Sequence, residues 1–232
     1  MSEYQCDKCH DTKHILVGDS WERCSCLIEY AASIIYARAG ITFDHNTLNY
    51  SRANVKTLYP HSPWIPDDTN LMLEYILESF EKHKLISKTF CLTGSATSPK
   101  DFILQCILKK ALDNGYTAFS TSLDELIARN FQPNQEGVSG DVTMPNEFNR
   151  AAVTSVSFGN ELQFRVGESF LSELIRLHKV SWKKKMLLLS TTLTEAGIYK
   201  KYETNDFKSL FTPLNPESVK GFESRVILLN IP

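Results

Sequence analysis

Residues 90–102 read FCLTGSATSPKDF, and the reading of this stretch decides the fold. An apolar run that ends in Thr-Gly, a short polar loop, a lysine and then the amphipathic DFILQCILKKALDN is the layout of strand, phosphate-binding loop and helix. A working loop of this kind is Gly-x-x-x-x-Gly-Lys-Ser/Thr. Its backbone amides cradle phosphates, its lysine neutralises them and its hydroxyl holds Mg²⁺. This chain has Gly94-Ser95-Ala96-Thr97-Ser98-Pro99-Lys100-Asp101. Pro99 removes an amide donor and restricts φ where the loop must fold back, and Asp101 brings a carboxylate to the place of the hydroxyl. Gly94 and Lys100 therefore read as the remains of a nucleotide loop. ATP and Mg²⁺ are not expected as cofactors, although the anion preference of a helix start leaves weak nucleotide binding open.

Working outward, the segments alternate. DDTNLMLEYILESFEKHK, from Asp67, is a helix of about four turns by its apolar stripe. After the loop helix comes Gly115 as a stop, then the strand YTAFS and the helix SLDELIARN, which opens on the capping box Ser122-x-x-Glu125. AAVTSVSF is a strand, SFLSELIRLHKV a helix, MLLLS a buried strand and RVILLN a last strand. Five short apolar strands separated by helical patterns predict an α/β fold, a P-loop-like parallel sheet with helices on both faces. QPNQEGVSGDVTMPN, within 132–146, reads as a long loop.

The amino-terminal part is different in kind. CDKCHDTKHILVGDSWERCSC places Cys6-x-x-Cys9 and Cys24-x-Cys26 at the ends of a fourteen-residue insert. Zn²⁺ takes four soft ligands at tetrahedral corners, and two thiol pairs joined by a hairpin supply them. With all four positions filled by thiolates the ion folds the segment and does not catalyse. His10 and His14 are alternative ligands, and unligated apolar cysteines are the bland reading. LIEYAASIIYARAG follows at helical spacing and stops at Gly40. The organisation expected is a zinc-binding module and helix at 1–40, a linker rich in Asn, Ser, Pro and Thr at 41–66, and the core domain at 67–232.

The chain has 232 residues and a formal net charge of −2. It lacks the general positive field of a dedicated duplex-DNA binder, so any contact with nucleic acid is local. No apolar run approaches the roughly 20 residues of a membrane span, and clustered free cysteines suit a reducing cytoplasm. Cys91 and Cys106 fall on a core strand and a helix face and read as packing residues.

The order of these motifs resembles a known family. CDKCHDT…ERCSCL, then ARAGITFDHNTL, the loop after the first core strand, FGNE, LLLSTTL and finally GFESR are similar to the bacterial and phage helicase loaders of the DnaC and DnaI type, members of the AAA+ superfamily. The resemblance covers nearly the whole chain. It departs at Lys13, where glycine is usual in the cysteine knuckle, and at the nucleotide stations. The family's second motif, a strand ending in two acids and Leu-Gly-x-Glu, is here Val156-Ser157-Phe158-Gly159-Asn160-Glu161. The sensor asparagine is Thr192. Acids of this kind hold Mg²⁺ and polarise the attacking water, so their loss predicts a pseudo-ATPase core.

The resemblance implies a DNA replication factor that binds a hexameric replicative helicase and helps to load it onto single-stranded DNA without hydrolysing ATP itself. It also implies contact with single-stranded DNA or its binding protein, and a cytoplasmic setting in a bacterial or phage-infected cell. Two other readings stay open at this point: a divergent active ATPase in which Asp101 or Glu161 substitutes for missing ligands, and an inhibitor that occupies a host helicase or its loader. Trp182, Lys183, Lys184 and Lys185 are the candidate contact to single-stranded DNA, with a merely solvated turn as the alternative. Arg225, in GFESR, is the candidate subunit or partner contact.

Overall fold

The computed structural model describes residues 6–44, 46–133, 140–142, 146–158, 185–193, 211–212 and 226–232. The chain begins with an antiparallel hairpin, β1 (His14–Val17) and β2 (Ser20–Arg23), which leads into helix α1 (Ser25–Arg38). Helices α2 (Arg52–Leu58) and α3 (Asp67–Glu81) precede the first core strand, β3 (Thr89–Thr93). Then follow α4 (Lys100–Asp113), β4 (Ala118–Ser122), α5 (Leu123–Asn130), β5 (Phe131–Pro133), β6 (Gly140–Val142), α6 (Asn146–Arg150), β7 (Val153–Phe158), β8 (Met186–Thr191), β9 (Phe211–Thr212) and β10 (Val226–Asn230).

The expected parallel sheet is present. Among the described residues its order is β4-β7-β8-β3-β10-β9, with every neighbouring pair parallel. Strands β3 and β8 bury every residue. That is why TFCLT and MLLLST read as continuous apolar runs with no alternation: both faces of a parallel sheet are covered. The five strands read from sequence form β4, β7, β8, β3 and β10. The sheet adds β9, a two-residue edge strand too short to leave a periodic signal. The long loop read at 132–146 carries a small antiparallel pair, β5 with β6. The helix read at 169–180 lies outside the described residues.

The capping box at Ser122 is half realised. Ser122 Oγ accepts the Glu125 N–H at 3.1 Å, while the Glu125 carboxylate accepts from Thr121 Oγ1 at 3.0 Å.

Residues 41–66, read from composition as a connecting segment, carry α2, whose Ser51 accepts the Asn54 N–H. The segment also contributes Ile41, Leu48, Val55 and Ile65 to the core cluster that contains Phe80, Phe90 and Phe102. The ARAGITF stretch is a joint between α1 and the sheet. Gly40 has φ +80°, and a Cβ there would lie 2.5 Å from the Ser120 carbonyl oxygen. Glycine alone serves both demands. Beside it, Ser120 N–H on the sheet's edge strand donates to the Ala39 carbonyl at 2.8 Å. Gln105 Oε1 accepts from the Thr42 and Phe43 amides at 2.9 and 3.0 Å, and Phe43 meets Phe102 edge-on at 5.7 Å. One turn earlier, Tyr36 donates its hydroxyl to Asp113 at 2.5 Å. No described helix is long and apolar enough to cross a membrane.

Candidate metal centre and nucleotide loop

The knuckle around Cys6 and Cys9 is built from backbone bonds that only a tight turn can make. His10 N–H donates to the Cys6 carbonyl at 2.8 Å, and Cys6 N–H donates to Asp11 Oδ1 at 3.0 Å. His10, Asp11 and Lys13 all have positive φ, 46°, 65° and 65°. The Cys24 N–H donates to the Lys13 carbonyl at 2.9 Å, which brings the second pair back to the first. Cys24 is also the N-cap of α1, and Cys26 lies in its first turn. One helix start therefore fixes half of the ligand set.

The four sulfur atoms lie within 4.8 Å of one another. Cys6 Sγ to Cys24 Sγ is 3.8 Å and Cys9 Sγ to Cys26 Sγ is 3.4 Å. A tetrahedron with zinc–sulfur bonds of about 2.3 Å has edges of about 3.8 Å, so the set fits that ion. Cys9 and Cys24 are buried and none of the four is in a disulfide. The N–H groups of Cys9 and Lys8 hold the Cys6 thiol down at about 7, whereas burial and the neighbouring thiols push Cys26 up to about 12. A dication held among them would let all four thiols ionise. His10 and His14 are not part of this group.

Lys13, where the resemblance leads one to expect glycine, occupies a left-handed conformation that costs a side-chain-bearing residue about 1–2 kcal/mol. Lys13→Gly is expected to stabilise the knuckle by about 1 kcal/mol, seen as a higher metal-retention midpoint in a chelator titration. An unchanged or lower midpoint would mean that the Lys13 ammonium, 5.8 Å above the Tyr30 ring, compensates the strain.

The nucleotide loop joins β3 to α4 at the carboxyl ends of the central strands, where open α/β sheets bind ligands. Here it is closed on itself. Lys100 is buried, and its ammonium donates to the Ser95 carbonyl at 2.8 Å. Asp101 accepts a hydrogen bond from Ser190 Oγ, on β8, at 2.7 Å. Gly94 sits so close to the chain after β10 that a Cβ would lie 2.1 Å from the Ile231 carbonyl oxygen and 2.5 Å from Ser98 Oγ. The Ile231 N–H donates to Thr93 at 2.7 Å. Around the loop the strand ends present hydroxyls: Thr93 beside Thr191, and Ser157 beside Ser190. Val156 is buried, and Thr191 Oγ1 accepts the Leu193 amide. Gly159, Asn160 and Glu161 lie outside the described residues.

Of the basic cluster, Lys185 alone is described. Its ammonium donates to the carbonyls of Asn149 and Phe148 at the end of α6, and burial lowers its pKa. Trp182, Lys183, Lys184 and Arg225 lie outside the described residues. Burial pushes the Cys91 and Cys106 thiols up to about 12, as packing residues require.

These elements make an open parallel α/β sheet with a P-loop-like turn after β3, preceded by a four-cysteine module. The crystal structure of DnaI is similar, with a TM-score of 0.51 at 14% identity over 82% of this chain and 95% of that one. Structures of the DnaC helicase loader (TM-score 0.47, 16% identity, 72% of this chain and 92% of that one) and of a DNA replication initiation factor (0.45, 16%, 72% and 47%) are more distant. The chain thus spans about half the length of the initiation factor. The DnaI match establishes the fold. No protein-family model and no curated protein matches the sequence.

Proposed function

We propose that this chain is a DNA replication factor that binds a hexameric replicative helicase through its zinc module and α1, and helps to place it on single-stranded DNA without hydrolysing ATP. The observation that carries this reading is the closed loop in a DnaI-like fold. Lys100 and Asp101, the two charged side chains that a nucleotide site would turn toward phosphate and metal, are each spent on a neutral group of the protein itself. With Val156 and Ser157 where the resemblance expects two acids, β7 itself supplies no carboxylate to hold Mg²⁺ or polarise water. Loading then relies on binding: a partner that prefers an opened ring shifts the ring's equilibrium without turnover.

The amino-terminal module suits a protein partner better than DNA. Trp21 and Leu16 are cross-strand neighbours and are 70% and 60% exposed, and Tyr30 on α1 is also exposed. Among the described side chains of α1 none is buried, although the helix is mostly apolar. Residues 6–38 carry Lys8, Lys13, Arg23 and Arg38 against Asp7, Asp11, Asp19, Glu22 and Glu29, and a dication held by four thiolates adds about two more negative charges. Such a module repels phosphate. Zinc is the structural metal in this reading. Contact with single-stranded DNA or its binding protein falls to the core, and the cytoplasm is the setting.

The test is delivery of the cognate helicase onto single strands coated with binding protein. The wild-type chain is expected to raise delivery, and Lys100→Met to match it within about twofold, because the lysine serves only the loop. If Lys100→Met abolishes both delivery and an ATP turnover measurable in the wild type, the chain is an active ATPase switch. If the wild type binds the helicase and suppresses unwinding of a forked substrate, it is an inhibitor.

A further inference from the structure

We propose that α1 is a strut and not a tether: it is clamped to α4 at its last turn and so holds the four-cysteine module in one direction from the core. Among the described side chains of α1 none is buried. Glu29, Ala32 and Tyr36, at i, i+3 and i+7, line a cavity of about 970 Å³ together with residues of α3 and α4. On that side close packing does not set the direction of the helix. Its ends must set it.

The carboxyl end carries the clamp. Asp113, the last residue of α4, accepts the Tyr36 hydroxyl at 2.5 Å through one oxygen and the Lys109 ammonium at 2.6 Å through the other. Lys109 also lies 5.7 Å from the centre of the Tyr36 ring, so the tyrosine is held by its hydroxyl and by its face. Just beyond the helix, Gln105 accepts the Thr42 and Phe43 amides and donates to Thr42 Oγ1 at 2.9 Å. Gln105, Lys109 and Asp113 are spaced at i, i+4 and i+8, so one stripe of α4 grips the chain on both sides of the Gly40 bend. Between the two grips Ala39 and Ile41 are buried. At the other end Cys24 and Cys26 stand at the start of α1, so the cysteine cluster moves with the helix. The consequence rests on the function proposed above: a helicase on the module and a single strand on the core can be engaged together only if the arm points the right way.

The experiment measures the distance between two nitroxides on the zinc-loaded full chain by pulsed electron resonance. The labels are attached through p-azidophenylalanine at Val17, in the hairpin, and at Lys84, beyond α3, both exposed and outside the clamp. The otherwise native chain is expected to give one narrow distribution. Tyr36→Phe with Asp113→Ala is expected to widen it about twofold, by freeing rotation about the Gly40 bend. Tyr36→Phe with Gln105→Ala loosens both grips without altering any charge, is expected to do the same, and serves if the first pair does not fold. Arg38→Ala, exposed in the same turn of α1 but outside the clamp, is expected to leave the distribution unchanged. The loosened chains are expected to bind the helicase within about twofold of the native chain and to deliver about tenfold less of it. A native chain that binds no helicase would remove the function proposed above and leave the distances to judge the strut. A broad native distribution, one that stays narrow in both clamp variants, or full delivery by a chain whose arm has loosened would overturn the proposal.

Discussion

Chelating the metal, or replacing Cys24 by serine, is expected to unfold residues 6–26, take bound zinc from one per chain to none and leave the parallel sheet intact. Among the described residues the module has no apolar core of its own. Its hairpin is exposed along β2, and its buried side chains are the ligands Cys9 and Cys24. Structural zinc contributes about 10–16 kcal/mol in small modules of this kind, far more than the hairpin's own bonds. Cys24 is the most damaging single change because it is fully buried and is one of the four candidate ligands. The measurement is amide hydrogen exchange with metal analysis. Loss of protection confined to the module and the start of α1 is expected, with β3 and β8 unchanged. Full protection in the metal-free chain would show that the cysteines are merely packed. Acid acts in the same direction as chelation: ligation needs thiolates, so retention falls as pH drops.

The second large effect is expected from Gly94→Ala. In an active nucleotide loop this glycine lets the backbone approach a phosphate. Here the neighbour is the protein's own backbone, the Ile231 carbonyl oxygen, 2.1 Å from where the new carbon would sit. Ser98 can turn its side chain away, but the carbonyl is held by the Ile231–Thr93 bond beside it. The added methyl must push the end of β10 off β3, at a cost of about 3 kcal/mol. For a chain of this size that lowers Tm by about 6–12 °C. Calorimetry decides it. An unchanged Tm would mean that the loop opens without cost, and an open loop would restore room for phosphate.

Much of this was legible in the residues, for reasons that differ from place to place. The four-cysteine cluster was readable because ligand spacing is a local property: two thiol pairs on a hairpin come together readily. The strands were readable where both faces are buried, as in MLLLST, whose six residues are all inaccessible. The segment at 41–66 misled because its apolar residues Ile41, Leu48 and Val55 are seven apart, too sparse for a helix or strand window. Each is nonetheless an anchor of the core. The pairing of β5 with β6 and the edge strand β9 involve two or three residues each, below what periodicity resolves. At the nucleotide loop, sequence showed what was missing. It could not show that Ser190, 89 positions away, would take up Asp101, or that the Ser95 carbonyl would take up Lys100. Those contacts come from the packing of β8 beside β3. Gly94 looked like a relic of phosphate binding, and the structure gives it a different reason, the close approach of Ile231.

The central claim is that this chain joins a helicase as a zinc-bearing partner that carries no nucleotide of its own. Native mass spectrometry of the chain mixed with its cognate replicative helicase, in ATP and Mg²⁺, tests it directly. The expected species is a helicase hexamer bearing a fixed number of copies of this chain, each with one zinc ion and no nucleotide. A chain that retains ATP or ADP when separated from the helicase, or one that never joins the hexamer, would contradict the account.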